Sequence, residues 1–188
     1  MAISESETGK NQEALDQLIE HIQQIKHYPV DKWQPARVGE VDICIQRDGT
    51  WLYRNSPIAR LSLVKLFSSV LLFENQEHYL ITPAEKLRIE VEDAPFLATE
   101  LTVFHASTEK QVLACTTNVG DQVIVNADNK LWVEHNEDNE PSPYVHVRRG
   151  LRALLTRSVW IELADYLEEH AQNYVVRSSG MMFALEPC

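Results

Sequence analysis

Six glycines in 188 residues leave little material for a phosphate-cradling loop. No G-x-G-x-x-G, G-x-x-x-x-G-K-[ST] or G-x-S-x-G string occurs. A dinucleotide site, a P-loop and a nucleophile elbow are thereby excluded. Cysteine is equally scarce, at three residues with no C-x-x-C, which argues against a disulfide framework or a zinc ribbon. Cys44 and Cys115 fall in apolar-alternating runs and are expected as reduced, buried thiols, with Cys188 at the chain's last position. Basic residues are the minority: 17 Lys+Arg against 28 Asp+Glu, a net charge of −11. Such a balance disfavours nucleic acid, whose phosphates need a basic stripe, and anionic membrane surfaces. No segment approaches the roughly 18 consecutive apolar residues of a membrane span. Residues 1–10 are acidic and polar, without the apolar stretch of a signal peptide, so the expected location is cytoplasmic. The seven histidines are scattered and none has metal-ligand spacing. No catalytic residue, metal or cofactor is therefore expected.

The composition present is that of a globular protein, 44% hydrophobic and 24% charged. Residues 1–10 read as disordered. Leu15, Leu18, Ile19, Ile22 and Ile25 recur at helical spacing, predicting a surface helix over 11–27. Val41, Ile43 and Ile45 alternate with polar partners, then Asp48-Gly49 leads into Trp51-Leu52-Tyr53, a strong hairpin signal. The apolar pattern of 60–73 predicts a broad-faced, buried helix, and Glu74–Glu77 a polar turn. Short strands are expected at 79–82 and 87–91. Further runs at 97–105, 111–116, 122–125, 131–133, 144–148 and 174–176 also read as strands, and Met181–Leu185 closes the chain. Residues 136–142 form an acidic loop, and 158–171 carry the spacing of a second main helix. Glu168 and Glu169 would solvate its exposed face. Trp51, Trp132 and Trp160 lie in periodic segments and suit core positions.

An internal echo divides the chain. A turn, a tryptophan strand, Ser-Pro, an arginine, a helix and a tyrosine-led strand occur twice. The landmarks are Trp51, Ser56-Pro57, Arg60 and Tyr79, then Trp132, Ser142-Pro143, Arg148 and Tyr174. The reading is α+β: a duplicated two-domain architecture, mainly antiparallel strands with one main helix per half. Its divisions are an N-terminal tail and helix (1–28), a first repeat domain (29–96) and a second (97–188).

These residues also carry a resemblance. The run Asp48-Gly49-Thr50-Trp51-Leu52-Tyr53-Arg54-Asn55-Ser56-Pro57-Ile58, the stretch Tyr79-Leu80-Ile81-Thr82-Pro83-Ala84-Glu85-Lys86, and Val91-Glu92-Asp93-Ala94-Pro95-Phe96 resemble the proteobacterial domain-of-unknown-function family numbered 1285. Tyr144-Val145-His146-Val147-Arg148 and Leu151-Arg152-Ala153-Leu154 extend the likeness, which covers about residues 30–185. Asn55 departs from the small residue that typically precedes Ser-Pro. The resemblance implies a domain duplication whose C-terminal half is superficially pleckstrin-homology-like. It further implies a nucleotide-type ligand in the cleft between the halves, a role in signal transduction, and no established activity.

The candidate site residues follow from charge and spacing. Arg148, Arg149, Arg152 and Arg157 lie within ten positions uninterrupted by an acid, and planar guanidinium groups suit phosphate and carboxylate. Tyr144, His146 and Arg148 alternate and would share one strand face, while Arg148 and Arg152 would align if a helix began early. The competing reading is that these arginines pair with acids of the other half. Thr82-Pro83-Ala84-Glu85 fits a capped helical turn whose free N–H groups, with Lys86 beside them, would accept an anion. Asp93 would bridge Arg148 or Arg152, or take a ribose hydroxyl. Phe96 would wedge between the two halves in a packing role, and Arg60 would stand in the first repeat where Arg148 stands in the second. Two function classes lead at this point, with an enzyme using a carboxylate as a lesser third. One is a sensor or adaptor binding a small anionic, nucleotide-like ligand through Arg60, Thr82, Glu85, Lys86, Asp93, Phe96, Tyr144, His146, Arg148 and Arg152. The other is a protein-interaction module without a small ligand.

Overall fold

The computed structural model describes residues 5–24, 28–135, 140–170 and 173–185. A long helix, α1 (Glu5–Gln24), precedes a first sheet. That sheet contains β1 (Arg37–Ile45), β2 (Trp51–Tyr53), β3 (Ser56–Pro57), β4 (Leu71–Glu74), β5 (Glu77–Ile81) and β6 (Glu85–Val91), with helix α2 (Leu61–Ser69) between β3 and β4. A second sheet follows: β7 (Phe96–Phe104), β8 (Val112–Thr117), β9 (Gln122–Ile124), β10 (Leu131–His135), β11 (Pro141–Arg148) and β12 (Leu151–Leu155). Helix α3 (Arg157–Ala164) leads to a third sheet of β13 (Leu167–His170), β14 (Asn173–Ser178) and β15 (Met181–Ala184).

The two six-stranded sheets have one topology. The first runs β3-β2-β1-β6-β5-β4 and the second, read from its other edge, β9-β8-β7-β12-β11-β10. Each is a pair of antiparallel three-strand meanders joined by a parallel pairing of first and last strands, β1 with β6 and β7 with β12. The duplication is therefore structural. A single apolar cluster unites both sheets: Ile45, Trp51 and Leu71 from the first meet Phe96, Leu113 and Leu151 from the second. Val159 and Leu163 of α3 and Val176 and Phe183 of the third sheet complete it. Helix α1 packs separately, setting Leu15, Leu18 and Ile19 against Phe104, Ala114 and Ile124 on the outer side of the second sheet.

The Asp48-Gly49 hairpin forms where expected. Gly49 has φ +82°, which a side chain resists, and the Asp48 carboxylate accepts from Thr50 N–H at 2.9 Å. Elsewhere period and turn chemistry competed, and the turns prevailed. The helix expected over 60–73 ends at Ser69, because Asn75 and Gln76, both at positive φ, close a two-residue β4–β5 hairpin. The helix expected over 158–171 ends at Ala164. Leu167–His170 is strand β13, and Glu168 and Glu169 sit on it rather than on a helix. Residues 151–155 are strand β12, turned back on β11 by Arg149 and Gly150 at positive φ, so no helix aligns Arg148 with Arg152. At the N-terminus, helix already runs from Glu5 through the stretch expected to be disordered, since propagation adds a bond per residue once a helix is nucleated. Cys115 is buried, and burial pushes its thiol up to about 12, while Cys44 is only half-buried. Cys188 and residues 136–139 of the acidic loop lie outside the described residues. Pro141 and Ser142, also assigned to that loop, belong to β11.

The repeat is shifted from the echo. Trp51 lies in the second strand of its unit and Trp132 in the fourth, while Ser56-Pro57 is the third strand and Ser142-Pro143 part of the fifth. Arg60 is thus not the counterpart of Arg148. It sits exposed before α2, whereas Arg148 ends β11.

Candidate functional site

The registers place the true counterparts side by side. Tyr79 pairs with Leu72 and Ile81 with Lys86 in the first sheet, while Tyr144 pairs with Trp132 and His146 with Arg152 in the second. Glu74 follows Leu72 by two residues and Glu134 follows Trp132 by two, so each lies on the same face as its neighbour. Each unit therefore carries a cation on its sixth strand, a tyrosine on its fifth and a glutamate on its fourth. Lys86 Nζ lies 4.1 Å above the Tyr79 ring and is ion-paired with Glu74. The Arg152 guanidinium lies 4.1 Å above the Tyr144 ring and is held by both Glu134 oxygens at 2.8 and 3.0 Å. A cation over an aromatic face, anchored by a carboxylate, satisfies both its charge and its apolar stem.

The acceptors of the two phenols differ. Tyr79 donates to Glu77 at 2.5 Å on the exposed side of the first sheet. Tyr144 donates to Asp93 at 2.7 Å. Asp93 also takes Arg47 Nε at 3.3 Å and an Arg152 amino group at 3.4 Å, with only 11% of its side chain exposed. Arg47 comes from the β1–β2 turn and reaches on to Ser142 Oγ at 2.9 Å. Asp93 thus gathers donors from both units at their junction. Burial, then Asp93, raises the Tyr144 phenol to about 12, so it stays a donor. Burial, with the Arg152 charge second, lowers His78 to about 4, which keeps it neutral against the Phe73 ring.

Arg148 does not share the Tyr144 and His146 face as alternation predicts. A register break between His146 and Arg148 puts it opposite Leu151 instead. Its guanidinium crosses the Phe96 ring at 4.9 Å, ion-pairs with Asp121 and donates to the Ser68 carbonyl of α2 at 2.9 Å. Ser68 lies in the last turn of α2, where carbonyls lack helical partners and a cation is favoured. Arg149 reaches Asp31 at 3.5 Å, and Arg157 is exposed with no ion pair among the described residues. The expected row of free guanidinium groups is therefore corrected: Arg148, Arg149 and Arg152 are each neutralised by a carboxylate, and Arg157 points to solvent. His146 is tied down by two turns, the β9–β10 connection and the β11–β12 turn. Its Nδ1 lies 2.9 Å from the Asp128 carbonyl, and Gly150 N–H donates to its Nε2 at 3.1 Å.

Thr82–Glu85 does not start a helix. Thr82 Oγ1 accepts from Ala84 and Glu85 N–H at 3.3 and 3.1 Å within the β5–β6 connection, so no helix N-terminus is available there. Pro83 cannot donate to a ladder, which suits this turn. Glu85 pairs with Arg37 at 3.3 Å. Phe96 is fully buried in the common core.

Sequence reasoning missed Arg47, Asp121 and Glu134. The repeated set was hidden by unequal spacing: Glu74, Tyr79 and Lys86 are separated by five and seven residues, Glu134, Tyr144 and Arg152 by ten and eight. Among the described residues no three His, Cys, Asp or Glu side chains are placed to hold a metal ion, and no helix is long and apolar enough to cross a membrane.

A duplicated α+β chain with this carboxylate-centred junction has solved relatives. Residues 28–94 match the domain of unknown function DUF1285, N-terminal domain, and residues 95–185 match the protein of unknown function DUF1285, C-terminal domain. The chain belongs to the DUF1285 family. A DUF1285 family protein from Silicibacter pomeroyi DSS-3 shares 41% identity over 89% of this chain and 93% of its own, with a TM-score of 0.81. A second, from Shewanella baltica OS155, shares 26% identity over 66% of this chain and 91% of its own, with a TM-score of 0.52. No curated protein matches the chain.

Proposed function

We propose that this protein is a non-enzymatic adaptor that docks a protein partner through its C-terminal half. One observation carries the reading. The charged groups at the junction are used on one another, whereas five of the ten large apolar side chains exposed among the described residues stand on the short unit after β12. Ile161 is 59% exposed and Tyr174 52%, with Leu167, Met181 and Met182 also exposed. Exposed apolar surface of this kind is a mark of interaction sites. A photo-cross-linking residue at Tyr174, with Glu40 on the exposed side of the first sheet as control, tests it in cells. A discrete protein adduct from position 174 alone is expected. Equal labelling at both positions, or none at 174, would refute docking.

A small-ligand reading has one specific support. Arg148 and Asp121 line a hollow of about 230 Å³ together with Gln122, Asn126 and apolar Ile19 and Ile22 of α1. An anionic, nucleotide-like molecule there would compete with Asp121 for Arg148 and so loosen the Arg148 contact to α2, shifting the balance between arrangements of the halves. A thermal-shift panel of nucleotides and phosphates decides it. Saturation at 100 times Kd adds about 2.7 kcal/mol, a gain that Arg148→Ala would abolish; a panel without hits leaves the adaptor reading alone.

A further inference from the structure

Helix α3 and the third sheet enclose an apolar groove of about 280 Å³, lined by Trp160, Ala164, Leu167, Tyr174 and Leu185. Two periodicities build it. Trp160 and Ala164 are four apart on α3 and therefore stand on one face. In the sheet, Leu167 pairs with Val176, Glu169 with Tyr174, and Val176 with Phe183, so these five side chains share the side that bears the groove. Val176 and Phe183 are buried in the core while Leu167 and Tyr174 are exposed. The core face thus runs out into solvent at its β13 end.

β13 is also an edge. The third sheet runs β13-β14-β15, and among the described residues no strand pairs with the outer side of β13. Edge strands expose unpaired backbone groups, and proteins commonly blunt them with shortness, charge, proline or a bulge. β13 is four residues long and carries Glu168 and Glu169, a charge that disfavours an acidic neighbour, while it has no proline and pairs with β14 without a register break, so its backbone can pair with a basic strand. The charge around the groove has one prevailing sign. Glu168 is taken by Arg177 at 3.1 Å. Glu169, on the groove side, and Asp165, next to Ala164, make no ion pair among the described residues. Arg157, a cation without an ion pair among the described residues, is at the far end of α3.

We propose that β13 is the docking edge for an extended segment of a partner protein, one whose residues alternate between apolar and basic along one face. The inference rests on the adaptor reading above and names the partner's chemistry. The segment adds as a fourth strand. Its apolar side chain beside Leu167 fills the groove, and a basic side chain two residues along lies beside Glu169. Backbone hydrogen bonds supply affinity and the groove supplies selectivity, as in other strand-addition interfaces.

The test uses the full chain, isotope-labelled, and a capped nonapeptide probe of sequence Lys-Thr-Val-Thr-Lys-Thr-Val-Thr-Lys. Amide shifts confined to α3, β13 and β14 are expected. Replacing the probe's lysines by glutamate should weaken binding at least tenfold, and N-methylating alternate backbone nitrogens should abolish it. Glu169→Lys should weaken the basic probe about threefold, within the range of one exposed ion pair. An N-methylated probe that binds equally well overturns strand addition, and an acidic probe that binds equally well overturns the charge assignment. Concentration-dependent dimers lost on Leu167→Asp would make a second copy the occupant and overturn the partner segment. If no probe binds while position 174 still cross-links in cells, the strand-addition proposal falls and the adaptor reading stands; if neither occurs, both fall.

Discussion

The two six-stranded sheets share strand order, pairing sense and a cation–tyrosine–glutamate set, yet they use that set differently. In the first, Lys86 is half-buried against Tyr79 and Glu74, and the Tyr79 hydroxyl turns outward to Glu77, beside Arg88 bridging Glu40 and Glu77. In the second, Arg152, Tyr144 and Glu134 are drawn into the junction, where Asp93 collects the phenol, Arg152 and Arg47. The topology therefore leaves this set uncommitted; what packs next to it decides whether it is surface decoration or a clasp. The helices differ in the same manner. α2 is inserted between the third and fourth strands of the first unit, while 125–130 fill that place in the second and α3 follows its sixth strand.

This contrast can be broken most forcefully at Phe96. It pairs with Ala153, as Gly39 pairs with Leu87 at the equivalent place in the first sheet. Phe96→Ala should cost about 4 kcal/mol, a cavity plus lost transfer energy, and lower Tm by roughly 8–16 °C. Gly39→Ala should move Tm little, because its new Cβ would meet Leu87 at an ordinary 3.6 Å. Similar losses at both positions in thermal melts would show that the sheets are not distinguished by their shared core.

Next comes the clasp. Asp93→Ala leaves the buried Tyr144 phenol without its acceptor and takes one carboxylate from Arg152, which keeps Glu134, and from the exposed Arg47; it should cost about 2 kcal/mol by denaturant unfolding. Glu77→Ala, which removes the acceptor of Tyr79, should cost under about 0.5 kcal/mol, since exposed pairs contribute little. A smaller gap would be seen if water replaced Asp93 freely. A double-mutant cycle sharpens the same point. Arg148→Met with Asp121→Asn should show a coupling of about 1–2 kcal/mol, and Lys86→Met with Glu74→Gln about 0.5 kcal/mol or less. The last effect is pH-linked. His78 has a folded value of about 4 against an ordinary 6.5, so the unfolded chain binds its proton first as pH falls. Stability contributed by neutral His78 is full above pH 6.5 and declines towards pH 4, by on the order of 1 kcal/mol after allowance for solvent screening. Urea midpoints of His78→Phe should lose that part of the slope, and parallel pH profiles would contradict the assignment.

Much of this organisation was legible from residues alone. The Asp48-Gly49 hairpin, most strands after Leu97 and the one-helix-per-half plan follow from alternation, turn residues and apolar stripes, which are local signals. The errors share a cause. Leu71-Leu72-Phe73 and Leu167 satisfy helical spacing, but strand pairing around Asn75-Gln76 and against β14 gave their backbone groups partners that a longer helix would have used differently. At the candidate site the arginine cluster was visible, and so were Asp93 and Tyr144. Their partners Asp121, Glu134 and Arg47 are distant in sequence and carried no motif.

Composition and periodicity by themselves determined that this is an α+β chain without a recognisable catalytic or metal motif, because burial preference and turn geometry act within a few residues. Which repeat positions correspond, which acid neutralises each arginine and which edge remains open were decided only by the tertiary structure. Those outcomes depend on pairing register, where one bulge redirects Arg148, and on side chains brought together across long stretches of chain.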